Sequence, residues 1–105
     1  MCSATQAGTA KFQVFIENER VKATEWRFVN PGDNTGWHTH EYDYVVVPLQ
    51  DGILVIEDSA GNVTQASLKK GVPYFRDLGV HHDVRNGNDY EFAFMEIELL
   101  EKPKK

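Results

Sequence analysis

The sequence predicts a single all-β domain, and three observations carry that prediction. Apolar and polar residues alternate over short runs, such as Phe12, Val14, Ile16 and Ala93, Met95, Ile97, Leu99, the period-two pattern of a half-buried strand. Clusters of Gly, Asn, Asp, Pro and Ser break these runs at intervals of about 8–12 residues, the spacing of sandwiches and barrels. No segment of helical length carries a 3.6-residue apolar period.

The elements follow in order. Residues 1–10 are small and polar without periodicity, and are expected as a flexible tail ahead of a folded domain over 11–101. Phe12 to Ile16 alternate, Asn18-Glu19 turns the chain, and Val21 to Val29 form a second run with Thr24, Trp26 and Phe28 on one face. Asn30-Pro31-Gly32-Asp33-Asn34 is a cluster of turn formers. The β-forming run from Tyr42 to Leu49 ends at Asp51-Gly52, a hairpin signal, with Ile53 to Glu57 as the returning strand. Ser59 to Asn62 turns into Val63–Leu68, Lys69-Lys70-Gly71 closes that strand, and Val72–Phe75 begins another. His82–Arg85 is short, Asn86 to Asp89 turns, and Glu91–Leu100 is the long last strand. Lys102-Pro103-Lys104-Lys105 is expected as a solvated basic tail.

Composition narrows the function classes. A chain of 105 residues holds one core, and 41% hydrophobic residues with six Phe, four Tyr and two Trp can fill it. The net charge of -5 and the lack of a basic stripe exclude a nucleic-acid surface. No apolar run approaches the ~20 residues that span a bilayer, and no signal peptide is visible as written. The lone Cys2 cannot form an internal disulfide, so a cytoplasmic protein is expected. The alternative is a lipoprotein start at Cys2-Ser3.

The chemistry concentrates in Gly32-Asp33-Asn34-Thr35-Gly36-Trp37-His38-Thr39-His40. In an extended strand His38 and His40 point to the same face about 7 Å apart along the backbone, so both rings can converge on one metal ion. A third imidazole can return from His81-His82 on another strand. Parity places Tyr42, Tyr44 and Val46 on the face of His38 and His40. The Tyr44 phenol then either contacts substrate, as the one candidate catalytic residue, or packs with its hydroxyl satisfied.

These residues resemble the cupins, whose two motifs run G-x5-H-x-H-x3,4-E-x6-G and G-x5-P-x-G-x2-H-x3-N. Gly32, His38, His40 and Gly52 match the first; Gly71, Gly79, His82 and Asn86 match the second, with Asp77 where proline is usual. The resemblance spans residues 32–86 and implies a jelly-roll β-barrel with His38, His40 and His82 as metal ligands. The motif glutamate is missing, since its slot falls on Val45 or Tyr44. Glu41 and Asp43 lie nearby, but alternation aims them away from the histidines unless a bulge intervenes. A neutral three-histidine site is therefore expected, holding a divalent transition metal among Fe, Ni, Zn, Mn and Cu. His81 points the other way, and Asn86 is read as a turn residue.

All-histidine cupin sites resemble those of dioxygenases, which makes a metal-dependent dioxygenase acting on a small polar or anionic metabolite the first expectation, with lyase chemistry open. The stretch from Trp37 to Leu49 is also similar to bacterial cupins associated with β-alanine degradation. The alternative is a non-catalytic binding or sensing module. Trp37, Tyr74, Phe75 and Phe94 are candidates for an apolar pocket mouth or for the core. Arg27 is either an inward carboxylate clamp or an outer ion-pair residue with Glu25. Glu96, sharing a face with Phe92 and Phe94, is either a buried base or a rim residue. A homodimer is expected, through the strand near the N-terminus or Glu91–Leu100. No nucleic-acid or membrane partner is expected.

Overall fold

Within residues 8–101, those described by this computed structural model, nine strands form and no helix does. They are β1 (Lys11–Glu17), β2 (Val21–Phe28), β3 (His38–Thr39), β4 (Tyr44–Pro48), β5 (Gly52–Asp58), β6 (Val63–Leu68), β7 (Tyr74–Arg76), β8 (His81–Asn86) and β9 (Phe92–Leu99). Five make a sheet in the order β1-β2-β9-β4-β7, and four make a second in the order β3-β8-β5-β6. This is the double-sheet jelly roll, and the two sheets are not closed into a barrel. Residues 1–7 of the expected tail, with Cys2, and the basic tail 102–105 lie outside the described residues.

The core lies between the inner faces of the sheets. Phe28, Tyr44, Val46, Phe92 and Phe94 from one meet Leu54, Leu68 and Val84 from the other. Alternation decides which side chains enter: Phe92, Phe94 and Glu96 of β9 are buried. Met95, Ile97 and Leu99 on the opposite face are half-buried. The described chain is engaged before β1 begins. Ala10 is buried in the core, its N–H bonds the Asn34 carbonyl at 2.7 Å, and Thr9 bridges Asn34.

Asp51-Gly52 does not make a hairpin. β4 and β5 belong to different sheets, and β5 pairs with β6 and β8 instead. A jelly roll passes its chain from sheet to sheet at such corners, which a two-residue turn signal cannot distinguish from a hairpin. Gly52 is needed for closeness: a Cβ there would lie 2.6 Å from two ring carbons of the fully buried Phe92. The same exchange separates the histidine strand from the β-forming run that follows it. β3 lies in the four-stranded sheet and β4 in the other, with Glu41–Asp43 crossing between them.

The expected dimer edge at Glu91–Leu100 is corrected. β9 is interior to its sheet, paired on one side with β2 and on the other with β4. β1 is an edge strand, exposed along its whole length. Among the described residues no helix is long and apolar enough to cross a membrane.

Candidate metal centre

His38 and His82 are direct cross-strand partners in the β3–β8 ladder, so their side chains share one face. That face is the inner one. Thr39 and His81, the next pair, point outward, where the Thr39 hydroxyl lies 2.7 Å from His81 Nδ1 and Trp37 stacks on the His81 ring. His40 follows β3 and is pinned by its own backbone: its N–H donates to the Val80 carbonyl at 2.9 Å and its carbonyl accepts from Gly79 at 2.7 Å. The two-residue spacing therefore acts as expected.

The three rings converge through their Nε2 atoms. His40 Nε2 lies 3.0 Å from His38 Nε2 and 3.2 Å from His82 Nε2. Two metal–nitrogen bonds of about 2.1 Å at a right angle would place their nitrogens roughly 3.0 Å apart, so the spacing suits a shared ion. The His38 tautomer is set by the loop before it. Its Nδ1 lies 2.9 Å from the Gly36 carbonyl, which can only accept, so Nδ1 carries the proton and the neutral ring offers its Nε2 lone pair. Gly36 adopts a left-handed φ of 82° to present that carbonyl, and its N–H is held by Asn34 Oδ1 and Asp83 Oδ1.

Burial keeps two of the three donors neutral. Burial, with the neighbouring His38 and His82, lowers the pKa of His40 to about 3. Burial, with His38, His81 and Arg76, lowers that of His82 to about 4. Both rings thus resist protonation near neutral pH, the state a metal ligand needs. The donor chemistry, spacing and protonation all fit a divalent transition ion held by His38, His40 and His82.

A cavity of about 240 Å³ opens beside the cluster. Trp26, Val46, Leu54, Ile56, Val80, Val84 and Phe94 make most of its wall, with Tyr44, Tyr74, Arg76, Asp58 and Glu96 adding polar groups. Tyr44, one of the two positions on which the slot of the missing glutamate falls, is buried and stacks on His40 with centroids 3.9 Å apart. Burial and the nearby Glu96 raise its pKa, so the phenol stays protonated. Of the proposed mouth residues, Tyr74 and Phe94 line the cavity, whereas Trp37 and Phe75 are exposed outside it.

Neither acid beside the histidines turns inward. Glu41 is exposed, and Asp43 Oδ1 accepts the Leu78 N–H at 2.8 Å, which anchors the crossover. The acid that does reach the cavity comes from β9. Glu96 is buried, and its ligand atoms with those of His40 and Glu98 lie within 4.8 Å of one another. Burial, then Glu98, push its carboxyl up to about 7, while a hydrogen bond from Trp26 opposes the rise. Arg27 is an outer ion-pair residue, bonding Glu25 and Glu91 at 2.8 Å each. Asn86 fastens loops, donating to the carbonyls of Asn30 and Tyr90 and accepting from Asn88.

Arg76 is the cavity's cation, and neither motif nor spacing singles it out in the sequence. The strand expected to begin at Val72–Phe75 runs through Arg76, which alternation places on the face of Tyr74. Trp26, which shares a face with Phe28, is also part of the cavity wall.

Comparison with known proteins agrees with this architecture. No protein-family model matches the chain. The chain is 48% identical over 86 residues to the beta-alanine degradation protein BauB of Pseudomonas aeruginosa, covering 82% of this chain and 88% of that protein. A cupin domain from Bordetella pertussis Tohama I superposes with a TM-score of 0.85 at 49% identity, covering 90% of this chain and 97% of that one. A double-stranded β-helix protein from Klebsiella pneumoniae has a TM-score of 0.71 at 22% identity over 88% of this chain and 77% of its own, a likeness of fold alone.

Proposed function

This chain is a small cupin that resembles BauB, and on that premise we propose that it is a metal-dependent enzyme acting on a small polar or anionic metabolite. One observation carries the reading. Three imidazoles, two of them held neutral by burial and the third oriented by a backbone carbonyl, converge on one point at the wall of a small cavity. His38, His40 and His82 would hold the ion. When bound, it supplies an uncompensated +2 charge with open coordination positions, since neutral ligands add no charge.

The remaining roles fall to this chain's own side chains. The apolar wall excludes water from around the ligand and strengthens every polar contact inside. Tyr44 holds its hydroxyl proton and can donate it in a hydrogen bond beside His40. Glu96, with a pKa near neutrality, can hold or release a proton at its carboxyl. Dioxygenase-like chemistry is our first choice and lyase chemistry the second. The name of BauB links that relative to β-alanine degradation, which puts amino-acid-derived acids first in a substrate screen.

A binding or sensing module is the alternative, favoured by the missing motif glutamate. Metal analysis and oxygen uptake separate the readings. Protein purified without a nickel column is expected to hold stoichiometric divalent metal, and His40→Ala to lose it. No metal in either form would refute the metal reading. Oxygen consumption by the iron(II) form, screened over thiols, diketones and amino-acid-derived acids, identifies an oxygenase; ligand binding without turnover identifies the module.

A further inference from the structure

Arg76 is the cation of the cavity, and no carboxylate among the described residues pairs with it. β7 and β4 pair in the register Tyr44↔Arg76 and Val46↔Tyr74, and cross-strand partners share a face. Tyr44 and Val46 point inward, so Tyr74 and Arg76 do too, and both line the cavity with the three histidines. The guanidinium carbon lies 4.5 Å from the centroid of the Tyr74 ring, which supports it at the exposed mouth. One N–H donates to the Phe75 carbonyl at 3.0 Å. A guanidinium has five such donors, so most of its fork is left for a ligand. The ion pairs of the described residues use Arg27 and Arg85 instead. The cavity's own acids are engaged elsewhere: Asp58 accepts from Ala60 and Asn62, and Glu96 from Trp26.

We propose that Arg76 anchors the carboxylate of a small monocarboxylic ligand at the mouth of the cavity, with the rest of the molecule directed along the apolar wall toward the histidines. This deepens the reading of the cavity as a ligand site and rests on it. The planar fork matches a carboxylate bidentately. A phosphate dianion commonly gathers several donors or a helix N-terminus; here there is one cation, no helix among the described residues, and two acids in the same cavity. The volume of about 240 Å³ falls below the ~300 Å³ at the lower end of ordinary ligand pockets, which limits the ligand to a small one.

Calorimetric titration with propionate tests the proposal, using the full chain in metal-free and metal-loaded forms, with propionamide and inorganic phosphate as comparators. Propionate is expected to bind the metal-free protein, and propionamide about tenfold more weakly or worse, because it lacks the charge. Arg76→Gln is expected to lower propionate affinity about tenfold or more at unchanged metal content. Should that variant unfold, Arg76→Lys keeps the cation, loses the planar fork, and is expected to bind several-fold more weakly than wild type. The proposal is overturned by no propionate binding, by equal affinity in the Arg76 variants and wild type, or by tighter phosphate binding. It is also overturned if propionate binding is lost in His40→Ala or on metal removal but survives Arg76→Gln, which would put the carboxylate on the metal. A protein that binds no metal yet holds propionate through Arg76 would defeat the metal reading alone.

Discussion

Glu96→Gln is the perturbation whose outcome follows most directly from the structure. Glu96 is 9% exposed on the inner face of β9, beside Glu98 and hydrogen-bonded by Trp26, and its carboxyl is pushed from 4.5 up to about 7. The folded protein therefore holds this proton more tightly than the unfolded chain. The stability it contributes is fully present below pH 4.5 and is lost as the pH rises through about 7. At about 1.4 kcal/mol per tenfold change, the interval from 4.5 to about 7 corresponds to roughly 3 kcal/mol. Glutamine keeps the shape and an oxygen to accept from Trp26 but cannot ionise. Metal-free Glu96→Gln should thus be nearly as stable as wild type at pH 4.5, and more stable by up to about 3 kcal/mol at pH 8. Urea unfolding of both proteins at the two pH values measures this, with the variant-minus-wild-type difference cancelling the titration of other groups. A difference that does not change with pH, or a variant less stable at pH 8, would refute the burial argument.

Other perturbations have equally definite outcomes. His40 and His82 have folded values of about 3 and 4, below their ordinary 6.5, so the unfolded chain binds more protons at mildly acid pH. Their contribution to the stability of the metal-free protein falls as the pH drops below 6.5, and His40→Ala should shallow that acid limb; an unchanged slope in urea titrations counts against it. Gly36→Ala forces an L side chain into a left-handed φ at a cost of about 1–2 kcal/mol and turns the carbonyl that orients His38. Metal affinity should drop about tenfold or more, read by competition with a chromophoric chelator. Gly52→Ala drives a methyl into the buried Phe92 ring, and should lower stability by about 1–3 kcal/mol while leaving metal content per folded chain unchanged. The edge strand β1 exposes Phe12, Phe15 and Ile16, so concentrated protein is expected to elute as a dimer and Phe15→Glu as a monomer in size-exclusion chromatography with light scattering.

How far the site was legible depends on the range of the forces involved. His38 and His40 share a face because alternation is a property of the extended backbone itself, and His81 points opposite to His82 for the same reason. The motif spacing brought His82 to the same cluster. Glu96 was legible only as an alternative: parity placed it with Phe92 and Phe94, but which face of β9 is covered depends on the second sheet. Arg27 was undecided on the same ground, and docking of the sheets left it outside with Glu25 and Glu91. Asp43 could not be assigned from sequence because its partner, the Leu78 N–H, comes from a distant segment.

The sequence by itself therefore determined an all-β chain, the strands near their observed positions, and three histidines able to meet. Those conclusions rest on local backbone geometry and on turn-forming residues, which act over a few positions. Only the tertiary structure decided that β4 and β5 part into different sheets, that Tyr44 stacks on His40, and that Arg76 and Glu96 share the cavity with the histidines. These depend on which inner faces are buried against each other, a choice made by long-range packing between sheets rather than by any residue's own preference.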